Sequence, residues 1–160
     1  MGSSTLSELL QHPLFAGLPV PAIEHISGCA SDVTFPAGEL IFSQGASAGS
    51  LYLLRRGKVA LSAHAPGKGH LLVQTLGPGE VLGLSWLFPP FQWQFDARAV
   101  EAVEAVALDG GCLRAKLDDD PALGYRLLSR ITPVVLARLH QTRVRLLDLY
   151  SSTVDGDGDR

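Results

Sequence analysis

The residues best suited to chemistry lie at positions 79–85, which read Gly-Glu-Val-Leu-Gly-Leu-Ser. The pattern predicts a strand that ends, turns tightly on glycine and opens a short helix, so several backbone N–H groups lack intrahelical partners. Such amides bind anions, and Glu80 adds a carboxylate that can accept from a hydroxyl. This combination suits a ribose phosphate better than a bare anion. The sequence therefore predicts a nucleotide pocket.

Other residue types capable of chemistry are scattered. Cys29 and Cys112 are far apart in the chain and form no CxxC pair, so we predict two buried thiols and no zinc or iron–sulfur site. The histidines occur singly, and nothing selects one as a haem ligand. Because the cysteines and histidines are scattered, we predict no metal site. No candidate nucleophile is followed by a convincing histidine and acid, so we predict that the protein is not an enzyme.

Composition limits the function further. The chain has 160 residues, 46% of them hydrophobic, which suits one ordinary domain with a real core. Its net charge of −3 lacks the basic excess needed to bind phosphate backbones, so we expect no direct nucleic-acid partner. Neither a signal peptide nor an apolar run of membrane-spanning length is recognisable. We expect a cytoplasmic protein without membrane contact.

The candidate pocket must be positioned by the segments around it. Residues 1–30 are predicted to form a helical cap interrupted by Pro13 and Pro19. Residues 31–111 alternate short β-type runs with glycine turns, which is typical of an antiparallel jelly roll. The fold class is therefore mainly β with flanking helices. The predicted strands cover residues 33–35, 39–42, 51–54, 58–62, 71–76, 95–100 and 102–108.

The chain after Gly111 is predicted to be helical. Residues 112–116 should form one or two helical turns, and residues 118–121 are a good helix start. Pro133 should end or kink one helix and start the next, which gives a kinked pair of C-terminal helices within residues 112–150. The acidic, glycine-rich residues 151–160 should be disordered. The later helix carries apolar residues at coiled-coil spacing, which favours a homodimer over packing on the chain's own barrel. This dimer seam consists of Val135, Leu139, Thr142, Leu146 and Leu149.

Three ordered segments resemble the signatures of the cyclic nucleotide-binding domain family, which includes catabolite activator proteins, protein kinase A regulatory subunits and gated channels. They are residues 36–45 (PAGELIFSQG), 51–59 (LYLLRRGKV) and 77–83 (GPGEVLG). The resemblance extends over nearly the whole chain, from Leu14 to Tyr150. It implies a β-jelly roll with a phosphate-binding cassette, here residues 79–99, followed by helices that move when a cyclic nucleotide binds.

The resemblance also implies roles for individual residues. Glu80 corresponds to the cassette glutamate that accepts a hydrogen bond from the ribose 2′-hydroxyl. Gly79, Val81 and Leu82 correspond to the turn whose backbone N–H groups face the phosphate. From the residues alone, Ser85 is expected to cap the cassette helix. Together with Gln92 and Trp93, considered next, these are the predicted ligand-binding residues.

The family's arginine is missing from the cassette. Members that bind a nucleotide carry an arginine that pairs with the cyclic phosphate, and the alignment places Trp93 there, with Gln92 beside it. Arg98 follows closely, but strand alternation puts it on the opposite face from Trp93. Losing a charge-assisted hydrogen bond of roughly 1.5–3 kcal/mol weakens binding by about tenfold to more than a hundredfold. Lys68, Arg55 and Arg56 stay open as replacements.

Aromatic residues concentrate where the arginine is absent. Both tryptophans and three of the six phenylalanines lie within Trp86 to Phe95. Three interpretations stay open: the rings fill the old phosphate site and complete the core, they line a pocket for a less charged ligand, or they bind a partner protein.

The sequence thus leads to two hypotheses. The first is a stand-alone cyclic nucleotide-binding-like sensor, without a helix-turn-helix because only about ten residues follow Tyr150, which binds cAMP or cGMP weakly or not at all. It would act through a homodimer or a separate output protein. The alternative is a non-binding assembly module that recognises a partner protein through residues 86–95.

Overall fold

The fold is a two-sheet β-roll with helices on one side. The computed structural model describes residues 2–67 and 69–157. The strands are β1 (Ala30–Phe35), β2 (Leu40–Phe42), β3 (Ser50–Arg56), β4 (Val59–Ala65), β5 (Gly69–Leu76), β6 (Val81–Leu82), β7 (Asp96–Ala99) and β8 (Val103–Asp109). They form two antiparallel sheets with the strand orders β1-β8-β3-β6 and β2-β7-β4-β5. The predicted mainly β jelly roll is confirmed.

Helices precede and follow the roll. They are α1 (Gly2–Gln11), α2 (Val20–Ser27), α3 (Gly110–Asp119) and α4 (Pro121–Asp157), with short 3-10 helices at Pro13–Phe15 and Ser85–Leu87. Asp109 caps α3, because its side chain accepts from the Cys112 N–H at 2.8 Å. None of these helices is both long enough and apolar enough to cross a membrane.

Each strand predicted from the sequence is present, and β6 is an addition. Its two residues pair with β3 in the register Leu53↔Val81 and Tyr52↔Leu82. A strand this short has no alternation of its own, which is why the sequence pattern did not reveal it. At the turn between β3 and β4, position 57 must be glycine, because a Cβ there would lie 2.2 Å from the Ala102 carbonyl oxygen.

The sheet that contains β8 is buried on both faces. Val103 and Ala105 belong to the core between the two sheets, whereas Val106 and Leu108 belong to a second core shared with the helices. The helices reach this second core through buried residues of every helix from α1 to α4. Those residues include Leu9, Ile23, Ile26, Leu113, Leu117, Leu123, Leu127 and Ile131. The roll and its helices therefore fold around shared apolar surface.

The cysteines form a disulfide, so the prediction of two separate thiols is wrong. Cys29 and Cys112 are bonded, with Cα atoms 5.7 Å apart although 83 residues separate them in the chain. The reason is strand pairing: Cys29 precedes β1, Cys112 follows β8, and the two strands pair from Ala30↔Leu108. The bridge links the end of α2 to the first turn of α3.

After β8 the chain forms two helices, α3 and α4, which separate at residue 120. Pro133, predicted to end or kink a helix, lies inside α4, and α4 also continues through residues 151–157, for which disorder was predicted. A proline removes one backbone hydrogen bond, and once a helix is formed each further residue adds another bond at low cost. Residues 158–160 of the predicted disordered tail lie outside the described residues.

The disulfide predicts a stability that depends on reductant. Replacing both cysteines, Cys29→Ser with Cys112→Ser, should lower the free energy of unfolding by about 2–4 kcal/mol, because the unfolded chain loses a cross-link across a long loop. Urea unfolding with and without dithiothreitol measures this. Reductant should destabilise the native protein and leave the double variant unchanged. If the urea midpoint of the native protein is the same with and without dithiothreitol, the bridge is absent.

Candidate functional site

A cavity of about 410 Å³ lies between the second sheet, the segment 82–95 and α4, and we call it the α4 cavity. The roll contributes an aromatic wall, and α4 contributes the opposite wall. The residues of the aromatic wall are Phe42, Phe88, Trp93 and Phe95, and those of α4 are Val135, Arg138, Leu139 and Thr142. The space is of the size that small-molecule sites use.

Trp93 is part of the core and also borders the cavity. It is 5% exposed, and its ring stacks on Phe42 with centroids 3.8 Å apart and planes 9° apart. The indole lies directly over Gly83, where an added Cβ would be 2.7 Å from the ring. Trp86 is fully buried, whereas Phe88 is 51% exposed. Both tryptophans of the aromatic segment therefore complete the core.

Phe91 and α3 hold the other end of this segment. Arg114 of α3 donates to the Trp86 carbonyl, and its guanidinium lies 4.3 Å from the centre of the Phe91 ring. Phe91 has a φ of 55°, which is left-handed backbone for a bulky residue. The aromatic segment is thus tied to the helices as well as to the roll.

The cations considered as replacements lie elsewhere. Arg55 faces Glu8, Asp32 and Glu104 at 3.4–4.0 Å, and Arg56 pairs with Glu104 at 3.6 Å. Lys68 lies outside the described residues.

Arg98 projects away from the cavity, as strand alternation predicted. Its guanidinium donates to the Gly38 carbonyl at 2.7 Å, and the neighbouring Ala97 and Ala99 are buried. It supplies no charge to the site.

Arg138 is the cation that the sequence interpretation missed. It lines the α4 cavity from the helix side and donates to the Val81 carbonyl. Burial lowers the pKa of its guanidinium, and the nearby charge of Glu80 raises it. A signal was present in the sequence: Arg138 follows Val135 by three residues and precedes Thr142 by four, so it shares their helix face.

Glu80 is turned away from this cavity. Its side chain is exposed, accepts from the Gly77 N–H at 2.6 Å, and borders a second cavity of about 290 Å³. Gly79 borders the same second cavity, and its N–H donates to the Leu54 carbonyl at 2.8 Å. The expectation of a free amide at Gly79 is therefore wrong, because β3 uses that donor.

The structure divides the predicted ligand-binding residues between two spaces. Leu82, Ser85, Gln92 and Trp93 line the α4 cavity, whereas Gly79, Glu80 and Val81 line the second cavity. The expected capping role of Ser85 is wrong, because Ser85 is the first residue of its 3-10 helix and Leu84 is at the N-cap. Arg138 borders both. Among the described residues, no group of three or more histidine, cysteine or acidic side chains is placed to hold a metal ion.

The seam predicted for a dimer lies partly over the cavity. Val135, Leu139 and Thr142 line the cavity, with Val135 and Leu139 41% and 44% exposed, while Leu146 and Leu149 are 54% and 65% exposed. The N-terminal part of this stripe thus borders the cavity, and its C-terminal part, Leu146 and Leu149, is exposed to solvent.

Polar contacts attach this part of α4 to the roll. Arg145 donates to the Val73 carbonyl, and Gln141 accepts from Gln74 at 3.1 Å. With the contact from Arg138 to Val81, they place the helix across β5 and β6. An occupant of the cavity would touch α4 directly.

Comparisons with known proteins agree with this architecture. The sequence model of the cyclic nucleotide-binding domain matches residues 32–120. The chain is 30% identical over 143 residues to the CRP-like cAMP-activated global transcriptional regulator of Mycobacterium tuberculosis, covering 89% of this chain and 62% of that protein. It is 34% identical over 140 residues to the cyclic AMP receptor protein of Thermus thermophilus, covering 86% of this chain and 59% of that protein. The chain thus spans about three fifths of the length of these relatives.

A solved structure shows the same fold. A candidate cyclic nucleotide-binding protein from Geobacter metallireducens is 32% identical, with a TM-score of 0.73, and the match covers 81% of this chain and 93% of that one.

The contact between Trp93 and Gly83 predicts a specific packing defect. Gly83→Ala should lower the free energy of unfolding by about 1–3 kcal/mol more than Gly79→Ala, because its new methyl group would collide with the indole. The control is matched, since the two glycines have φ values of +88° and +84° and only Gly79 has open space around it. Urea unfolding measures both variants. Equal losses would contradict the packing of Trp93 on Gly83.

Proposed function

Because the chain belongs to the cyclic nucleotide-binding domain family, we propose that it is a sensor domain whose α4 cavity receives a small ligand and whose α4 responds to occupancy. The observation that carries this is the position of the cavity, which lies between the cassette-like segment and α4. A ligand there would contact Trp93 on one side and Arg138 on the other. The sensing role needs no catalysis, and we propose that the chain is not an enzyme.

Binding of cAMP or cGMP is proposed to be weak or absent. The position where the resemblance expects an arginine holds Trp93, which is buried against Phe42. Glu80, expected at the ribose hydroxyl, borders a different cavity and accepts from Gly77. A cyclic nucleotide would therefore lose its phosphate partner in the cassette and its ribose partner together.

Arg138 offers partial compensation only. Its guanidinium already donates to the Val81 carbonyl, and the Gly79 N–H already donates to the Leu54 carbonyl. Several donors converging on one anion are what make phosphate sites strong, and here part of that donor set is already used.

The response would pass through α4. Its first half is anchored by the buried residues Leu123, Leu127 and Ile131, and its later contacts to the roll are the polar ones made by Arg138, Gln141 and Arg145. Segments held by few contacts open at low free-energy cost. A ligand under Val135 and Leu139 would shift the later part of the helix against its fixed beginning.

The wider setting follows the same proposal. The exposed part of the seam would form a homodimer, and a separate output protein would receive the signal. The net charge of −3 argues against direct binding to nucleic acid. We place the protein in the cytoplasm, where cellular thiols would favour reduction of the Cys29–Cys112 bridge.

The assembly module is the weaker candidate. Recognition of a partner through residues 86–95 would need exposed aromatic anchors, and both tryptophans are buried. Phe88 is the aromatic residue there that is mostly accessible, at 51%.

The nucleotide proposal predicts a calorimetric result. Titration with cAMP and cGMP should give no detectable heat of binding or a millimolar affinity, because no cation of the cassette pairs with the phosphate. Trp93→Arg should bind cAMP at least about tenfold tighter than Trp93→Ala, since both changes remove the indole and one adds a cation. Circular dichroism confirms that each variant is folded. Micromolar binding by the native protein would contradict the proposal.

The dimer proposal predicts a position-specific effect. Leu146→Glu should raise the dimer dissociation constant at least about tenfold, because it buries an unpaired carboxylate in the seam. Leu147→Glu is the matched control, since Leu147 is 64% exposed and lies off the seam. Sedimentation velocity measures both. A native protein that stays monomeric at high concentration, or equal effects of the two variants, would rule out this seam.

A further inference from the structure

One charge of the α4 cavity, that of Arg138, is in no direct ion pair. Among the side chains that the structure describes, the ion pairs include Arg55, Arg56 and Lys58 but not Arg138. The charge of Glu80 is near enough to raise the pKa of Arg138, but Glu80 does not line this cavity. The Arg138 guanidinium donates to the Val81 carbonyl, and a guanidinium has several further N–H donors. Arg138 therefore has donors left for an anion inside the cavity.

The rest of the lining identifies the kind of anion. The described residues that line the cavity include no carboxylate, and its polar side chains are glutamines, Ser85 and Thr142. Most of the wall is apolar, with the stacked faces of Trp93 and Phe42 on one side and Val135 and Leu139 on the other. Such a wall takes up a flat apolar body, because ring surfaces pack face to face or edge to face.

A ribose fits this lining poorly. The carboxylate that would bind its hydroxyl, Glu80, borders the second cavity and already accepts from Gly77. Buried hydroxyl groups without partners cost free energy, whereas an aromatic ring has none to satisfy.

We infer that the α4 cavity binds an aromatic monocarboxylate, with the ring against Trp93 and the carboxylate on Arg138. The guanidinium geometry suits a carboxylate, which can accept two parallel hydrogen bonds. The inference rests on the proposed function, in that it takes the α4 cavity as the sensing site, and it names the ligand class. The ligand's carboxylate would form the direct ion pair that no described side chain forms with Arg138.

The test is calorimetric titration with 2-naphthoate, using the neutral 2-naphthamide as the matched probe and octanoate as a flexible apolar acid. Naphthoate should bind at least about tenfold tighter than naphthamide, because only naphthoate pairs with the cation. It should also bind tighter than octanoate, since a rigid ring loses less conformational freedom than a flexible chain when it packs against the aromatic wall. Equal affinity for naphthoate and either other probe would overturn the inference.

Variants assign the charge to one residue. Arg138→Gln should lower naphthoate affinity by about tenfold to a hundredfold and change naphthamide affinity by less than about twofold. Arg138→Lys should keep part of the preference for the acid, and it also serves if the glutamine variant does not fold. Arg145→Gln is the control, because Arg145 is also on α4 and also donates to a backbone carbonyl of the roll, that of Val73, but does not itself line this cavity. Loss of affinity in Arg145→Gln equal to that in Arg138→Gln would overturn the assignment.

Hydrogen exchange separates this inference from the sensor proposal. If naphthoate binds through Arg138 but the exchange rates of residues 130–145 are the same in the free and the naphthoate-bound protein, the ligand class is supported and the sensing role is contradicted. If naphthoate does not bind, the ligand class is overturned. Slower exchange in residues 130–145 with millimolar cAMP would then still support a sensor.

Discussion

The pairing of β1 with β8 is the constraint on which the arrangement depends. It brings the first and last strands of the roll side by side. The start of β1 therefore lies beside the end of β8, and the helices that precede β1 and follow β8 begin at the same end of this strand pair. Both cysteines, the shared apolar core and the direction of α4 follow from that proximity. Because the sheet that contains β8 is buried on both faces, the helices cannot separate from the roll without exposing its core.

This constraint produces a helix with two different halves. The beginning of α4 contributes Leu123, Leu127 and Ile131 to the core, and the part after residue 133 meets the roll across the cavity through arginine and glutamine side chains. Apolar burial is insensitive to a small guest elsewhere, whereas polar contacts to backbone carbonyls break one at a time. In the proposed sensor, this difference in attachment would give α4 a fixed end and a responsive end.

Much of the fold could be predicted from the sequence, and the site could be predicted only in part. Glycine turns and short apolar runs revealed the strands because both are local signals. The disulfide and β6 depend on pairing between distant strands, which spacing along the chain does not report. The burial of Trp93 likewise depends on its contacts with Phe42 and Gly83 across the roll.

Arg138 was missed for a related reason. The cations that the sequence left open, Arg55, Arg56 and Lys68, all belong to residues 31–111 of the roll, whereas a helix face that covers a cavity can supply charge from a distant part of the chain. Glu80 does not line the α4 cavity, whereas Arg138 and the aromatic rings do. In the proposed function, recognition therefore moves from the backbone of the cassette to a side chain on α4. Since that side chain also attaches α4 to β6, a ligand bound to it would compete with the contact to Val81 and so act directly on the position of the helix.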